Sequence, residues 1–191
     1  TQTNILFERL QAKNINIKKV TFPDYESLSS GPVRLYLNGE LGEKPDDVNA
    51  YAASAFYAAD RYCSFVKNWK KDFVGGAVIL CDRYATSNAI YQLSKIPDEK
   101  KNEFLLWLED FEYIKLEIPK PDLVIYLDVP IEVSQELLSK RYKGDQSKKD
   151  IHENNLSFLK ECRKSAIFAA DKLNWKIISC AENGKMLNID K

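Results

Sequence analysis

The chain has 191 residues, enough for one domain with a substantial apolar core. Acidic and basic side chains balance at 28 each, which argues against a surface built to bind nucleic acid or another polyanion. No apolar run approaches the roughly 18 residues needed to cross a bilayer, and no signal peptide opens the chain. We therefore expect a cytoplasmic protein with neither a membrane nor a nucleic acid polymer as partner.

The cysteines predict free thiols. Cys63, Cys81, Cys162 and Cys180 lie far apart and form no Cys-x-x-Cys pair. Two of them fall inside or at the end of apolar, strand-like runs. Buried thiols in a reducing compartment therefore explain them better than disulfides or a zinc site.

Helices and strands alternate along the chain. The helices are expected at about residues 1–13, 31–37, 46–70, 97–116, 130–140 and 151–173. The strands are expected at about residues 18–22, 77–82, 123–127 and 175–179. Strands that alternate with helices predict a doubly wound parallel α/β sheet. With no repeat and no linker, residues 1–191 are expected to form a single domain.

The most informative segment follows the second expected strand. Asp82 and Arg83 place an acid and a base at its carboxyl end, the edge where ligands bind in open α/β sheets. Taken alone, the dipeptide is better explained by a surface salt bridge, and Asp82 is also explained by a helix cap. Ser87, Asn88 and Tyr91 follow closely and could recognise a flat polar ligand.

Five segments, taken together, resemble thymidylate kinases. In chain order they are Phe22-Pro23-Asp24-Tyr25, residues 29–40, Tyr57-Ala58-Ala59-Asp60-Arg61, residues 81–92 with Asp82-Arg83-Tyr84, and residues 118–130 with Pro121-Asp122 and Leu127-Asp128-Val129-Pro130. The resemblance covers nearly the whole chain. It implies the fold of P-loop nucleoside monophosphate kinases, transfer of the γ-phosphoryl group of ATP to thymidine monophosphate with Mg²⁺, and a homodimer.

The resemblance also implies roles for the charged residues. Asp82 would hold Mg²⁺ through water, because magnesium prefers oxygen ligands and keeps much of its hydration. Arg83 would bridge the donor and acceptor phosphates with its planar fork. Arg141 would support the same chemistry from a basic loop further along the chain.

Two helices are expected to supply the thymine pocket. Tyr57 and Arg61 are one helical turn apart, so the ring can stack on the base while the guanidinium binds its carbonyl. By spacing alone, a core aromatic beside a surface arginine is the better explanation, and the resemblance reverses that choice. Asn88, with Ser87, would bind the N3–C4 edge of the base. Tyr91 would crowd the 2′ carbon, with a half-buried helix tyrosine as the alternative.

The loop after the first strand is expected to flank the sugar and phosphate through Phe22 and Tyr25. Many relatives carry an arginine in this loop, and here the four residues read Phe-Pro-Asp-Tyr. Binding of the acceptor phosphate would therefore depend more on Arg83 and Tyr25.

A basic loop at about residues 141–150 resembles the lid of nucleoside monophosphate kinases, although a solvated connection also explains such a run of charge. Its basic residues are Arg141, Lys143, Lys148 and Lys149. The three lysines would contact ATP, and closure of the lid would exclude water from the reaction. His152, the single histidine, is expected on the surface without a catalytic role.

One departure from the family pattern concerns ATP. Kinases of this class carry a strand, then Gly-x-x-x-x-Gly-Lys-[Ser/Thr], then a helix. Here the helix begins at residue 1, and Thr1-Gln2 resembles the dipeptide that directly follows that lysine and its hydroxyl partner. Thr1 would then lie beside the ATP phosphates, and the central first strand and the P-loop are expected upstream of the given chain. The alternatives are a non-catalytic nucleotide-binding variant and a kinase for another deoxynucleoside monophosphate, such as deoxyuridylate.

Overall fold

A computed structural model describes residues 2–143 and 150–188. Over these residues the α-helices are α1 (Gln2–Gln11), α2 (Gly31–Leu37), α3 (Ala50–Ser64), α4 (Lys70–Val74), α5 (Asn88–Tyr91), α6 (Lys101–Glu109), α7 (Ile131–Tyr142) and α8 (Leu156–Lys172). The strands are β1 (Ile17–Thr21), β2 (Val78–Asp82), β3 (Ile125–Asp128), β4 (Lys176–Ser179), β5 (Ala181–Glu182) and β6 (Lys185–Met186). Two π-helical segments extend the helices: Phe65–Trp69 joins α3 to α4, and Asp110–Lys115 continues α6.

The four predicted strands are confirmed, and they pair in parallel. β1 lies beside β2 with Thr21 opposite Asp82, and β3 lies beside β4 with Asp128 opposite Ser179. Over the described residues these pairs form two separate two-stranded sheets rather than the one continuous sheet that the sequence predicts. β5 and β6 form a short antiparallel hairpin that the sequence analysis missed.

The second parallel pair keeps much of its apolar surface open. Ile125, Leu127, Ile177 and Ile178 are between 42% and 48% exposed. Strands of a doubly wound sheet are normally buried on both faces. The β3–β4 pair therefore has room for further packing.

Two helix beginnings differ from the prediction because asparagine side chains cap them. The sequence predicts that α3 begins at about residue 46, but the helix begins after Asn49, whose side chain accepts a hydrogen bond from the Ala52 nitrogen at 2.9 Å. Likewise α8 begins after Asn155, which accepts from the Phe158 nitrogen at 3.0 Å, and not at residue 151. Asparagine satisfies the free N–H groups of a first helical turn in this way.

Three buried apolar clusters hold the elements together. The first joins α5, α6 and α8 around Phe104, and the second packs Phe65 and Trp69 beneath β1 and β2. The third packs α2 against α3 around Val33 and Tyr36. The second and third clusters support the loops that carry the predicted site.

All four cysteines are free thiols, as predicted, although Cys63 is exposed while Cys162 is buried.

Among the described residues, no helix has both the length and the apolar character that crossing a membrane requires.

Candidate functional site

A cavity of about 610 Å³ lies at the carboxyl ends of β1 and β2. Every predicted catalytic and substrate-binding residue lines it: Phe22, Tyr25, Tyr57, Arg61, Asp82, Arg83, Ser87, Asn88, Tyr91 and Arg141. They meet because parallel strands end at the same edge of a sheet, so the loops after β1 and β2 face one space.

Among the residues predicted to contact ATP, Lys143 alone is described by the structure. Lys143 ends α7 in a left-handed backbone conformation and does not line the cavity. Thr1, Lys148 and Lys149 lie outside the described residues. The expected lid is therefore represented in the structure mainly by Arg141, Tyr142 and Asp150.

Arg83 has an unusual backbone at the mouth of the cavity. Its φ angle is 64°, and this left-handed conformation costs a non-glycine residue about 1 kcal/mol or more. Arg83 is an exposed residue that lines the cavity, and its guanidinium lies over the Tyr91 ring, with Cζ 5.2 Å from the ring centroid. Tyr91 also raises the pKa of Arg83, so the side chain keeps its charge. Strained residues of this kind cluster at functional sites.

Asp82 is available at the same strand end. Its backbone oxygen accepts a hydrogen bond from the Phe22 nitrogen at 3.0 Å, which fixes the loop after β1 against the end of β2. Its carboxylate makes no ion pair or hydrogen bond with the residues that the structure describes. The helical turn that follows is capped at Tyr84 without a side-chain hydrogen bond, so the alternative role of Asp82 as a helix cap is not supported.

The wall formed by α3 carries a buried charged cluster. Arg61 is 2% exposed and donates from Nε to Oε2 of Glu112 at 3.1 Å, and its Nη2 donates to the other carboxylate oxygen. Asn88 donates from Nδ2 to the same carboxylate at 3.3 Å and to the Ser54 backbone oxygen at 3.4 Å. The alternative of a surface arginine at position 61 is therefore wrong.

Glu112 was missed by the sequence analysis. It comes from the π-helical segment after α6 and has no exposed surface. π-Helical turns occur often at functional sites. The sequence places Glu112 between the aromatic residues Phe111 and Tyr113, and nothing else there distinguishes it from its acidic neighbours Glu109 and Asp110.

The loop after β1 is held by a second buried acid. Asp60 is 1% exposed and accepts hydrogen bonds from the Asp24 nitrogen at 2.8 Å and the Ser29 hydroxyl at 2.6 Å. Burial raises the pKa of Tyr25 and Tyr57, so both hydroxyls remain neutral. Asp60 therefore orders the loop that brings Tyr25 to the cavity.

His152 is buried, so the predicted surface position is wrong. It is 6% exposed and its ring stacks on Tyr91, with centroids 5.5 Å apart and an angle of 11° between the planes. Its Nε2 lies 2.8 Å from the Tyr36 hydroxyl, which also accepts a hydrogen bond from Lys95 Nζ at 2.8 Å. Burial lowers the pKa of His152 to about 3, so the ring is neutral.

The remaining wall connects α7 to the segment before α8. Arg141 lies 3.9 Å from the Glu153 carboxylate, and the Tyr142 hydroxyl donates to Glu153 at 2.9 Å. Asp150 accepts hydrogen bonds from the backbone nitrogens of His152 and Glu153, at 2.9 Å and 2.8 Å, and burial raises its pKa. These contacts bring the segment after residue 150 against the cavity.

Comparison with known proteins identifies the chain's relatives. The family model described as "Thymidylate kinase" matches residues 1–188. The thymidylate kinase of Mycobacterium tuberculosis is 27% identical over 161 residues, which cover 83% of this chain and 73% of the relative. The thymidylate kinase of Nitrobacter hamburgensis is 31% identical over 136 residues, covering 71% of this chain and 55% of the relative. That of Caenorhabditis elegans is 30% identical over 116 residues, covering 59% of this chain and 45% of the relative.

Proposed function

The chain belongs to the thymidylate kinase family, and we propose that the central cavity is its active site. Its reaction is the ATP-dependent phosphorylation of thymidine 5′-monophosphate to the diphosphate. The observation that carries the proposed site is the convergence of Asp82 and Arg83 with Tyr57, Arg61 and Asn88 on one cavity.

The charged groups at the end of β2 suit phosphoryl transfer. This reaction needs reactants in line and neutralisation of the charge on the transferred group, with little covalent help from the protein. Arg83 is fully charged, exposed to the cavity and held over Tyr91, so it can bridge donor and acceptor phosphates. Arg141 adds a second cation from α7. No side chain is required as a covalent nucleophile.

Magnesium fits the oxygen donors at this end of the cavity. The described residues include no group of three or more His, Cys, Asp or Glu side chains arranged to hold a metal by themselves. A single carboxylate, with water and substrate phosphates, is a usual ligand set for Mg²⁺. Asp82 would hold the ion, and the ion would supply charge neutralisation for the transferred phosphoryl group.

The other end of the cavity suits a pyrimidine. Tyr57 offers a neutral ring for stacking, and Arg61 offers a guanidinium hydrogen to a carbonyl oxygen. Asn88 lies beside Arg61, and Tyr91 limits the space near the sugar. Phe22 and Tyr25 close the side next to the acceptor phosphate, in a loop that Asp60 holds.

The proposal extends to the arrangement of the β-strands. The two parallel pairs would be parts of one doubly wound sheet, with a further strand between the two pairs. The parallel pairing and the 42% to 48% exposure of the apolar residues of β3 and β4 support it. A single kinase domain, a homodimer and a cytoplasmic location are proposed from the family resemblance.

A substrate panel tests the proposal. The full-length protein is assayed with ATP and Mg²⁺ against the monophosphates of thymidine, deoxyuridine, deoxycytidine and deoxyguanosine. We expect the highest kcat/KM with thymidine monophosphate. A higher value with deoxyuridine monophosphate would assign the chain to another substrate, and binding without turnover would contradict its assignment as a kinase.

A further inference from the structure

Glu112 contacts both side chains assigned to the base, although it does not line the cavity itself. It lies behind the wall with no exposed surface. Arg61 donates two hydrogen bonds to it and Asn88 donates one. A buried carboxylate is strongly disfavoured unless it is paired and hydrogen-bonded, so these contacts hold its partners in place.

Glu112 determines which end of the Asn88 amide faces the cavity. The Glu112 carboxylate and the Ser54 carbonyl can only accept hydrogen bonds, so both must meet the NH₂ group of Asn88. The Asn88 nitrogen lies 3.3 Å from the carboxylate and 3.4 Å from the carbonyl oxygen. Both amide hydrogens are therefore occupied, and the Oδ1 atom is left as an acceptor.

Glu112 also determines what Arg61 can offer. It engages Nε and Nη2 of the guanidinium and leaves Nη1 uncommitted to the pair. A guanidinium has no acceptor at any position. Arg61 therefore presents only donors to the cavity that it lines, next to the acceptor of Asn88.

We infer that Glu112 is a positioning residue that sets the donor and acceptor pattern of the base pocket, and so its preference for a 4-keto pyrimidine. The inference rests on the proposed function, because it takes this cavity as the thymine site. Thymine offers its O4 acceptor to Arg61 and its N3–H donor to Asn88. Cytosine offers a 4-amino donor and an N3 acceptor, the reverse pattern, which leaves buried polar groups unpaired.

Replacement of Glu112 by glutamine tests the inference. Glu112→Gln keeps the size of the side chain but removes the charge and puts a donor where Arg61 and Asn88 need an acceptor. Calorimetry would compare the Kd values of thymidine and deoxycytidine monophosphates for the full-length parent and the variant. We expect the ratio of the two affinities to fall by about tenfold or more, since unmatched buried hydrogen bonds underlie such discrimination.

Glu109→Gln is the matched control. Glu109 lies three residues before Glu112 and pairs with Lys120 at 2.6 Å, and neither member of this pair lines the cavity. Its replacement should leave the affinity ratio unchanged. If Glu112→Gln weakens both nucleotides equally and preserves the ratio, then Glu112 has only a structural role and the inference is overturned.

A second variant covers the case in which Glu112→Gln does not fold. Glu112→Asp keeps the carboxylate but is one methylene shorter, so it cannot maintain all three hydrogen bonds. We expect a smaller fall in the affinity ratio, with thermal unfolding used to establish that the variant is folded. An unchanged ratio in a folded Glu112→Asp variant would also overturn the inference.

Binding separates this inference from the proposed function. A parent protein that prefers thymidine monophosphate in binding but does not phosphorylate it contradicts the proposed reaction, and the ratio still decides the role of Glu112. A parent protein that binds both nucleotides equally contradicts the inference, whatever its turnover.

Discussion

The two ends of the cavity handle charge in different ways. At the end proposed to bind the base (the base end), Arg61 and Glu112 are 2% and 0% exposed and satisfy each other. At the end proposed to bind the phosphates (the phosphate end), Arg83 is an exposed residue, and the Arg141 side chain is 67% exposed. A flat, neutral base is recognised by the direction of its hydrogen bonds, so the side chains that bind it must be held in a fixed orientation. Phosphates and metal ions require charges that no protein partner has already neutralised.

This difference predicts different consequences of mutation. Loss of a cation at the phosphate end removes little buried structure, so it should affect turnover more than stability. Loss of one member of the buried pair leaves the other unpaired in the interior, which affects stability and recognition together.

The largest effect is expected at the phosphate end. Arg83→Ala should lower kcat by roughly a hundredfold or more, about 2.7 kcal/mol, because it removes charge stabilisation in the transition state. The melting temperature should change little, since Arg83 is exposed. Steady-state kinetics on the full-length protein measure this effect.

Arg83→Lys is the graded control, because it keeps the charge but loses the planar fork. Its kcat should lie between those of the parent and Arg83→Ala. A change confined to KM in Arg83→Ala would show that the residue binds the ground state and the transition state equally.

A smaller effect on activity, with a larger effect on stability, is expected at the base end. Arg61→Met should reduce the preference for thymidine over deoxycytidine monophosphate by about tenfold or more. The unpaired Glu112 should also cost about 3 to 5 kcal/mol of unfolding free energy. The double variant Arg61→Met with Glu112→Gln should recover part of that stability but not the preference. Substrate competition assays and urea unfolding give the two quantities.

Arg163→Met is the matched control for Arg61→Met. Arg163 also binds a carboxylate through two nitrogens, both 2.8 Å from Asp128 oxygens, but it lies outside the cavity. The Arg163→Met variant should keep the parental preference for thymidine over deoxycytidine monophosphate. If Arg61→Met phosphorylates the two monophosphates in the parental ratio, Arg61 does not recognise the base.

The smallest expected effect concerns His152, whose ring stacks on Tyr91. His152 has its pKa lowered by burial to about 3, against about 6.5 in an unfolded chain. As pH falls towards the pKa of the unfolded state, His152 is therefore protonated in the unfolded chain while it stays neutral in the folded protein. Between pH 7 and 5.5 this residue should remove about 1 kcal/mol from the free energy of unfolding.

His152→Gln should lose that part of the pH dependence. The comparison is made on the change between pH 7 and 5.5, a range above ordinary carboxyl pKa values of about 4. The absolute stability of the variant can differ, since the contact with Tyr36 is altered. Equal slopes for parent and variant would mean that His152 binds protons equally in the folded and unfolded states, which would contradict a lowered pKa.

The sequence by itself determined the four parallel strands, and it predicted which residues line the cavity. Runs of apolar residues predicted the four strands that pair in parallel, and an acid and a base at the end of β2 predicted the edge where the cavity lies. For Tyr57 and Arg61, spacing predicted a shared helical face, and the resemblance to thymidylate kinases predicted that this face binds the base. Such patterns record burial and spacing along the chain, so they predict which groups are brought to the cavity.

Only the tertiary structure decided what those groups pair with. Glu112 is 51 residues from Arg61 in the chain, and His152 is 116 residues from Tyr36. One acid among several in a helix and a lone histidine beside a charged loop have no periodicity that distinguishes a buried position from a surface one. Whether such a group is buried depends on the partner that another element brings to it, because burying a charged or polar group is tolerated only when a partner satisfies it.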